Sequence, residues 1–206
     1  MSICTLFSQS LERGDPNYRR HTSIDVNKVR GSIHNFGSSG GGGAVGFHYE
    51  WPTNSDRRYI AYQALYVGAE VVTNSGEVKP LVTITHRSDQ QGNSMMWEPI
   101  PSYLNPNSTK IAISDDESSW PVTWPDKVSD ENDPGWSGSW NGYFGKDQFN
   151  AGQEIFYKIS DDRNYLIGSP YSPDTTDLSR RGAGIQVGVR AMEWKQILIE
   201  DVVFLL

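Results

Sequence analysis

The chain lacks three features that would place it in a common class. It has a single cysteine, Cys4, which excludes a framework of internal disulfide bonds. It has no run of about 18 consecutive apolar residues, so the sequence predicts no transmembrane segment. It also has no cluster of basic residues, and its formal net charge is −7. Because phosphate contacts need clustered positive charge, no nucleic-acid partner is expected.

Hydrophobic residues are scarce as well, at 36% of the 206 residues. The apolar mass is concentrated in large rings, since the chain has seven tryptophans and ten tyrosines. An aromatic ring buries far more area than alanine or valine, so a modest number of rings can build a core. The chain is therefore expected to fold rather than to remain disordered.

Segments of alternating or β-branched residues predict strands. The segments 59–72 and 78–85 flank the turn signal Asn74-Ser-Gly76 and predict a β-hairpin. Further strands are expected at 110–113, 154–159, 184–190 and within 192–206. No stretch keeps a convincing helical stripe over three turns. The predicted fold is therefore all-β, an antiparallel β-sandwich-like architecture with long Trp-, Gly- and Pro-rich loops between residues 86 and 150.

The two ends of the chain give expectations about domain organisation. Residues 1–29 are expected to be a poorly ordered lead-in, and residues 1–10 fit either a signal-peptide remnant or a frayed terminus. Residues 30–206 are expected to form a single β-rich domain. The sequence stops within the apolar run 202–206, so we expect this domain to be truncated at its C-terminus.

Several short motifs follow one another between residues 30 and 206. They are Asn35-Phe-Gly37, Glu50-Trp-Pro52, Ala64-Leu-Tyr-Val-Gly68, Ser118-Ser-Trp-Pro121, Trp124-Pro-Asp126, Trp140-Asn-Gly-Tyr-Phe-Gly-Lys-Asp147, Arg180-Arg-Gly182 and Gln186-Val-Gly-Val-Arg190. Their order resembles the N-terminal β-rich region of large exported bacterial proteins that carry a C-terminal sorting domain of type IX secretion. The resemblance implies a secreted or cell-surface location, with the remaining domains of a longer chain as partners. It brings no established activity and no catalytic residues.

The most prominent candidate site is the Trp-rich block, residues 120–147. Its candidate ligand-binding residues combine flat rings with carboxylates: Trp120, Trp124, Trp136, Trp140, Tyr143, Asp126 and Asp147. Ring faces stack on the apolar face of a sugar, and carboxylates accept hydrogen bonds from its hydroxyl groups, so one interpretation is a glycan platform. The other interpretation is that the rings form a core for a loop-rich region. The sequence leaves both open.

Acidic turns supply a second candidate site, for a structural calcium ion. The segment Asp130-Glu-Asn-Asp-Pro-Gly135 begins like a calcium loop, but Pro134 and Asn141 stand where the EF-hand pattern needs other residues. A non-standard calcium site remains a hypothesis for Asp115, Asp116, Asp130 and Asp133, with Asp161 as a further candidate. The histidines have no zinc-ligand spacing, and no other cofactor is expected.

These observations favour a non-catalytic structural or binding module of a secreted or cell-surface protein. The main alternative is a carbohydrate-binding β-sandwich domain, with a glycan as its partner. A third hypothesis is a hydrolase acting on polysaccharide, in which a carboxylate pair such as Asp116 and Glu154 would serve as acid and base. Nothing in the residue spacing requires such a pair.

Overall fold

The computed structural model describes residues 12–41, 46, 48–85, 92, 95–164 and 171–206. Within these residues the strands are β1 (His21–Ile24), β2 (Gly31–His34), β3 (Ser38–Gly40), β4 (Tyr49–Glu50), β5 (Arg58–Ile60), β6 (Tyr62–Ala64), β7 (Tyr66–Val72), β8 (Val78–Ile84), β9 (Glu98–Pro99), β10 (Asn141–Gly142), β11 (Gly145–Lys146), β12 (Gln153–Ser160), β13 (Gln186–Glu193) and β14 (Phe204–Leu205). The all-β prediction is confirmed.

Two four-stranded antiparallel sheets form the body of the fold. The first has the strand order β1-β2-β3-β6, and the second has the order β14-β13-β12-β9. Three two-stranded sheets accompany them: β4-β5, β7-β8 and β10-β11. Ile24 and Ile33 from the first sheet share one apolar core with Ile155 and Ile159 from the second. The two sheets therefore pack against each other as in a β-sandwich.

Helical structure in the described residues is restricted to single 3-10 turns. They span Pro16–Tyr18, Pro101–Tyr103, Glu117–Ser119, Pro125–Lys127 and Pro134–Trp136. Most of them begin with a proline, whose fixed φ angle suits the first helical position. None of the helices in this part of the chain is long and apolar enough to cross a membrane.

The predicted hairpin is confirmed for residues 66–84, whereas the start of its first arm forms β5 and β6, which pair with β4 and β3 instead. β7 pairs with β8 from Tyr66↔Ile84 to Val72↔Val78, and residues 73–77 form the turn. Trp97 lies under this hairpin, fully buried, and its indole Nε1 donates a 2.9 Å hydrogen bond to Oγ1 of Thr83. A buried indole needs such an acceptor, so this bond joins the hairpin to the main core.

The lead-in prediction is wrong for residues 12–29. Strand β1 pairs with β2, and its Ile24 is fully buried in the main core. The charged residues of this segment pair with distant carboxylates: Arg13 with Asp162, and Arg19 with the buried Glu98. The charged side chains that suggested a solvated tail therefore form ion pairs that attach this segment to the rest of the fold. Residues 1–10 lie outside the described residues.

Two smaller strand predictions also need correction. Residues 110–113 form no strand. Residues 111–113 contribute buried side chains, and Ile113 makes only isolated bridges. In the segment 192–206, the first two residues complete β13 and only Phe204–Leu205 forms a further strand. A bend and a turn occupy residues 196–201 between them, so the apolar residues there do not form an extended strand.

Glu193, at the end of β13, is a fully buried carboxyl group that fixes a loop of the first sheet. Its Oε2 atom accepts hydrogen bonds from the backbone N–H groups of Val26, at 2.9 Å, and Asn27, at 3.4 Å. Its Oε1 atom has no hydrogen-bond partner in the described part of the chain. Burial disfavours the charged form and raises the pKa of Glu193 to about 8.

A matched pair of glycine substitutions tests the packing of the first sheet. A Cβ atom at Gly31 would lie 2.5 Å from the Tyr49 ring, whereas one at Gly68 would meet no atom within 4 Å. We expect Gly31→Ala to lower the free energy of unfolding by about 1–3 kcal/mol through overpacking. Gly68→Ala should instead be neutral or stabilising by up to about 1 kcal/mol. Urea unfolding followed by circular dichroism measures both, and equal losses would contradict this packing.

Glu193→Gln tests the buried carboxyl group through the pH dependence of stability. Because the pKa is higher in the folded chain than in the unfolded chain, Glu193 favours folding below its unfolded pKa and loses that contribution as pH rises to about 8. The free energy of unfolding of the native chain should therefore fall, relative to Glu193→Gln, between about pH 4.5 and 8. Glu131→Gln, at an exposed position, is the control. If the free energy of unfolding depends on pH in the same way for all three proteins, the pKa of Glu193 is not raised in the folded chain.

Candidate ligand-binding groove

The Trp-rich block forms a second core instead of a glycan platform. Trp124 and Trp140 are fully buried and pack edge to face, with ring centroids 5.5 Å apart, and Trp120 is nearly buried beside them. The other members of this cluster are Ile100, Tyr103, Ala112 and Phe156. The ligand-binding prediction is therefore wrong for these three tryptophans, because their faces are covered by protein.

Trp136 and Tyr143 lie nearer the surface. Trp136 is half-buried, its Nε1 donates a 2.7 Å hydrogen bond to Oδ2 of Asp130, and the ammonium of Lys127 lies 4.7 Å from its ring centroid. Tyr143 is 54% exposed and packs edge to face with Phe144. Of the predicted ligand-binding rings, Tyr143 is thus the one that presents most of its surface to solvent.

The predicted ligand-binding carboxylates hold the β10-β11 hairpin in place. Asp126 accepts a 3.1 Å hydrogen bond from Nδ2 of Asn141, and its Oδ2 lies 3.3 Å from the Lys127 ammonium. Asp147 accepts a 2.8 Å hydrogen bond from the backbone N–H of Trp140. Both groups stabilise the protein's own loops, which accounts for their position in the block.

The calcium candidates are engaged in separate interactions: Asp115 with Gln153, Asp116 with Lys110, Asp130 with Trp136, Asp133 with Lys146, and Asp161 with the backbone N–H groups of residues 183 and 185. The Lys110 ammonium lowers the pKa of Asp116. Burial raises the pKa of Asp161. Across the described ranges, no three Asp, Glu, His or Cys side chains come together in a metal-binding group.

Glu154 is a buried carboxylate between the two cores. It forms an ion pair with Arg190, and it accepts hydrogen bonds from Nε1 of Trp140 and the backbone N–H of Tyr143. The guanidinium carbon of Arg190 also lies 3.8 Å from the Phe156 ring centroid. Glu154 is therefore fixed by several donors, and it has a structural role in joining the Trp-rich block to the second sheet.

A groove runs along the open side of the sandwich, between β6 and β14. It consists of two adjoining cavities of about 420 and 490 Å³ that share Gln63 and Leu205. The first is lined by Val29, Tyr49, Glu50, Trp51, Tyr59, Ile60, Asp201, Val202 and Val203, and the second by Ile33, Gly37, Ser38, Ser39, Ala64, Leu65, Tyr157, Ile159, Val187, Val189 and Leu206. We call this feature the inter-sheet groove.

Two aromatic rings stand at the mouth of the inter-sheet groove. Trp51 is 41% exposed and Tyr59 is 64% exposed, and their centroids are 6.2 Å apart at an interplanar angle of 68°. Nε1 of Trp51 donates a 2.6 Å hydrogen bond to Oδ1 of Asp201. The Trp51 backbone N–H also donates to the carbonyl of Arg57, 3.1 Å away. The indole is therefore held in one orientation while part of its face stays open.

Polar groups in the first cavity accompany these rings. Glu50 is buried, and Arg30 donates to its Oε2 from 2.5 Å while the backbone N–H of Asp56 donates to its Oε1. Oε1 of Gln63 accepts a 3.0 Å hydrogen bond from the hydroxyl of Ser39. A mainly apolar concave site with a few fixed polar groups is the usual form of a ligand-binding site.

Sequence reasoning did not single out this groove. Trp51 stood in the Glu50-Trp-Pro52 motif of the resemblance, but no ligand-binding role was assigned to it. Its partner Asp201 lies 150 residues further along the chain, and no local pattern connects the two. The proline after Trp51 is no guide to exposure, because Trp120 and Trp124 also precede prolines and are buried.

Comparison with known proteins identifies no relative of this chain. No family model matches it, and neither does any curated protein or solved structure. The inter-sheet groove is therefore interpreted from its own residues.

Proposed function

We propose that this chain is a non-catalytic binding module and that its inter-sheet groove binds a glycan chain. One observation carries the proposal: Trp51 and Tyr59 are both exposed at the mouth of a cavity, and Asp201 fixes the orientation of the indole. A surface indole that is held by a carboxylate loses little further freedom when a ligand binds, which favours affinity.

The chemistry of the groove suits a sugar ring. The C–H face of a pyranose is apolar and stacks on an aromatic face, while its hydroxyl groups need hydrogen-bonding partners around the edge. Trp51 and Tyr59 supply the ring faces, and Asp201 and Gln63 supply carboxylate and amide groups beside them. This combination is the one that the sequence suggested for the Trp-rich block, but it occurs at a different place in the fold.

The engagement of the acidic groups supports a binding role over a hydrolytic one. A glycosidase needs two carboxyl groups placed on either side of the scissile bond. In the groove, Glu50 is bound by Arg30, and Asp201 positions Trp51. Asp116 and Glu154, the carboxylate pair considered for a hydrolase, are also engaged elsewhere: Asp116 forms an ion pair with Lys110, and Glu154 forms one with Arg190.

A secreted or cell-surface location is part of the same proposal. The resemblance to exported bacterial proteins supports it, and that resemblance includes the Glu50-Trp-Pro52 motif that the groove uses. In such a setting a glycan-binding module would hold the remaining domains of a longer chain close to a polysaccharide. Attachment of this kind raises the local concentration of a second domain at the polymer without any further contact.

Removing single rings tests the proposal. Soluble polysaccharides such as xylan, mixed-linkage β-glucan, galactomannan and pectin are titrated while tryptophan fluorescence and heat are recorded. For a polymer that binds, Trp51→Ala and Tyr59→Ala should each weaken binding about tenfold or more, since a lost contact worth about 1.4 kcal/mol corresponds to a factor of ten. Tyr143→Ala, which removes another tyrosine that is more than half exposed, should leave binding unchanged.

Three outcomes would contradict the proposal. If no polymer binds at millimolar sugar concentration, the groove is not a glycan-binding site. Loss of binding with Tyr143→Ala, but not with Trp51→Ala, would move the site to the Trp-rich block. Release of reducing sugar by the purified native chain would show that the module is catalytic.

A further inference from the structure

Strands β6 and β7 form one continuous strand at the edge of the fold. Leu65 lies between them, and its backbone N–H donates to the carbonyl of Gly37, 3.1 Å away, at the end of β3. Its carbonyl accepts from the N–H of Thr85, also at 3.1 Å, next to β8. The continuous strand therefore pairs first with β3 and then with β8 on the same side, and no described strand pairs with its other side.

The hydrogen-bond pattern shows which residues face outward along this edge. In an antiparallel ladder, successive residues direct their N–H and C=O groups alternately to the two sides of a strand. The odd-numbered Ala61, Leu65 and Thr73 bond toward β3 and β8. The even-numbered residues therefore point outward: Ala64, Tyr66, Gly68, Glu70 and Val72. In the described part of the chain, the outward backbone groups of these residues make no hydrogen bond.

The opposite edge of the hairpin is blocked at two points. Pro80 is paired with Glu70, so its nitrogen points away from β7, where a proline has no N–H to offer. At the base of β8, the carbonyl of Ile84 accepts a 2.7 Å hydrogen bond from Nδ2 of Asn164. Proline is a usual means of blocking an edge strand, and β7 carries none.

The solvent face of the hairpin is apolar beside this open edge. Tyr66, Val72, Val78 and Val82 are between 56% and 61% exposed. Glu70 is the charged side chain on that face of the two strands. An open edge next to an exposed apolar surface indicates an interaction surface rather than a solvated one.

We propose that a second copy of this chain pairs antiparallel with the edge formed by Ala64–Val72, with the two-fold axis at Gly68. This arrangement uses all five outward-facing residues, because Gly68 is the midpoint of the edge. Gly68 faces its own symmetry mate, and Tyr66 faces Glu70 of the second copy. Ala64 faces Val72. The pairing joins the two hairpins into a four-stranded sheet.

The residues of the edge are self-complementary in this register. The two Glu70 carboxylates are kept apart, and each lies opposite a tyrosine hydroxyl group that can donate a hydrogen bond to it. Gly68 leaves the axis free of side chains, and a Cβ atom there would meet nothing within 4 Å in the single chain. A ladder of five residues is small beside a standard interface of about 1,600 Å², so the dimer is weak and depends on concentration.

A cysteine placed at the axis tests the register. Facing residues in a hydrogen-bonded pair have Cα atoms about 5.5 Å apart, which a disulfide spans. In a Cys4→Ser background, Gly68→Cys should form a covalent dimer under mild oxidation at least about tenfold faster than Val82→Cys. Val82 is the matched control because it lies directly opposite Gly68 on β8 and faces the same side. Equal rates for the two variants would overturn the proposal.

Charge reversal at the same position tests the interface without a disulfide. Gly68→Asp and Gly68→Lys each place like charges opposite one another at the axis, so each variant alone should be monomeric at concentrations where the native chain dimerises. An equimolar mixture should recover the dimer. Sedimentation equilibrium from about 10 µM to about 1 mM covers the range expected for a weak interface. A native chain that stays monomeric at the highest concentration would overturn the proposal, as would dimers of both variants.

Discussion

The fold depends on the burial of strand β12 on both of its faces. Ile155, Tyr157 and Ile159 enter the main core between the two sheets, whereas Phe156 points into the tryptophan cluster. The long pairing of β12 with β13 brings Arg190 next to Glu154. The ion pair between these two side chains helps to attach the Trp-rich block to the second sheet. The second face of β12 also carries the buried Glu154, whose ion pair with Arg190 supplies the partner that a buried charge requires.

The same strand sets the depth of the inter-sheet groove. Tyr157 and Ile159 line it from the second sheet, and Gln63 and Leu65 line it from the edge of the first. The sandwich is thus open on the side where β6 and β14 end their sheets. At one end of this opening, the bond between Trp51 and Asp201 fixes an exposed indole across the two layers. The residues of β12 therefore connect the main core to the inter-sheet groove, and the Trp51–Asp201 hydrogen bond fixes the aromatic rings at the mouth of that groove.

Local sequence patterns predict the parts of the fold that depend on residues close together in the chain. Alternation of apolar and polar residues was sufficient to predict strands at β12, β13 and the β7-β8 hairpin. Packing as a core was one of the two interpretations of the Trp-rich block. Long-range polar contacts could not be predicted, because Arg19 meets Glu98 and Trp51 meets Asp201 across large sequence separations. For that reason the sequence predicts a poorly ordered lead-in where β1 forms, and no local pattern indicates the groove.

The most direct test of this account is an NMR titration of the ¹⁵N-labelled tryptophan indoles with an oligosaccharide from a polymer that binds. We expect the indole N–H signal of Trp51 to shift, because its ring contacts the sugar. The signals of the buried Trp120, Trp124 and Trp140 should remain in place. Shifts in these three signals without a shift in that of Trp51 would contradict the account and place the binding site in the Trp-rich block.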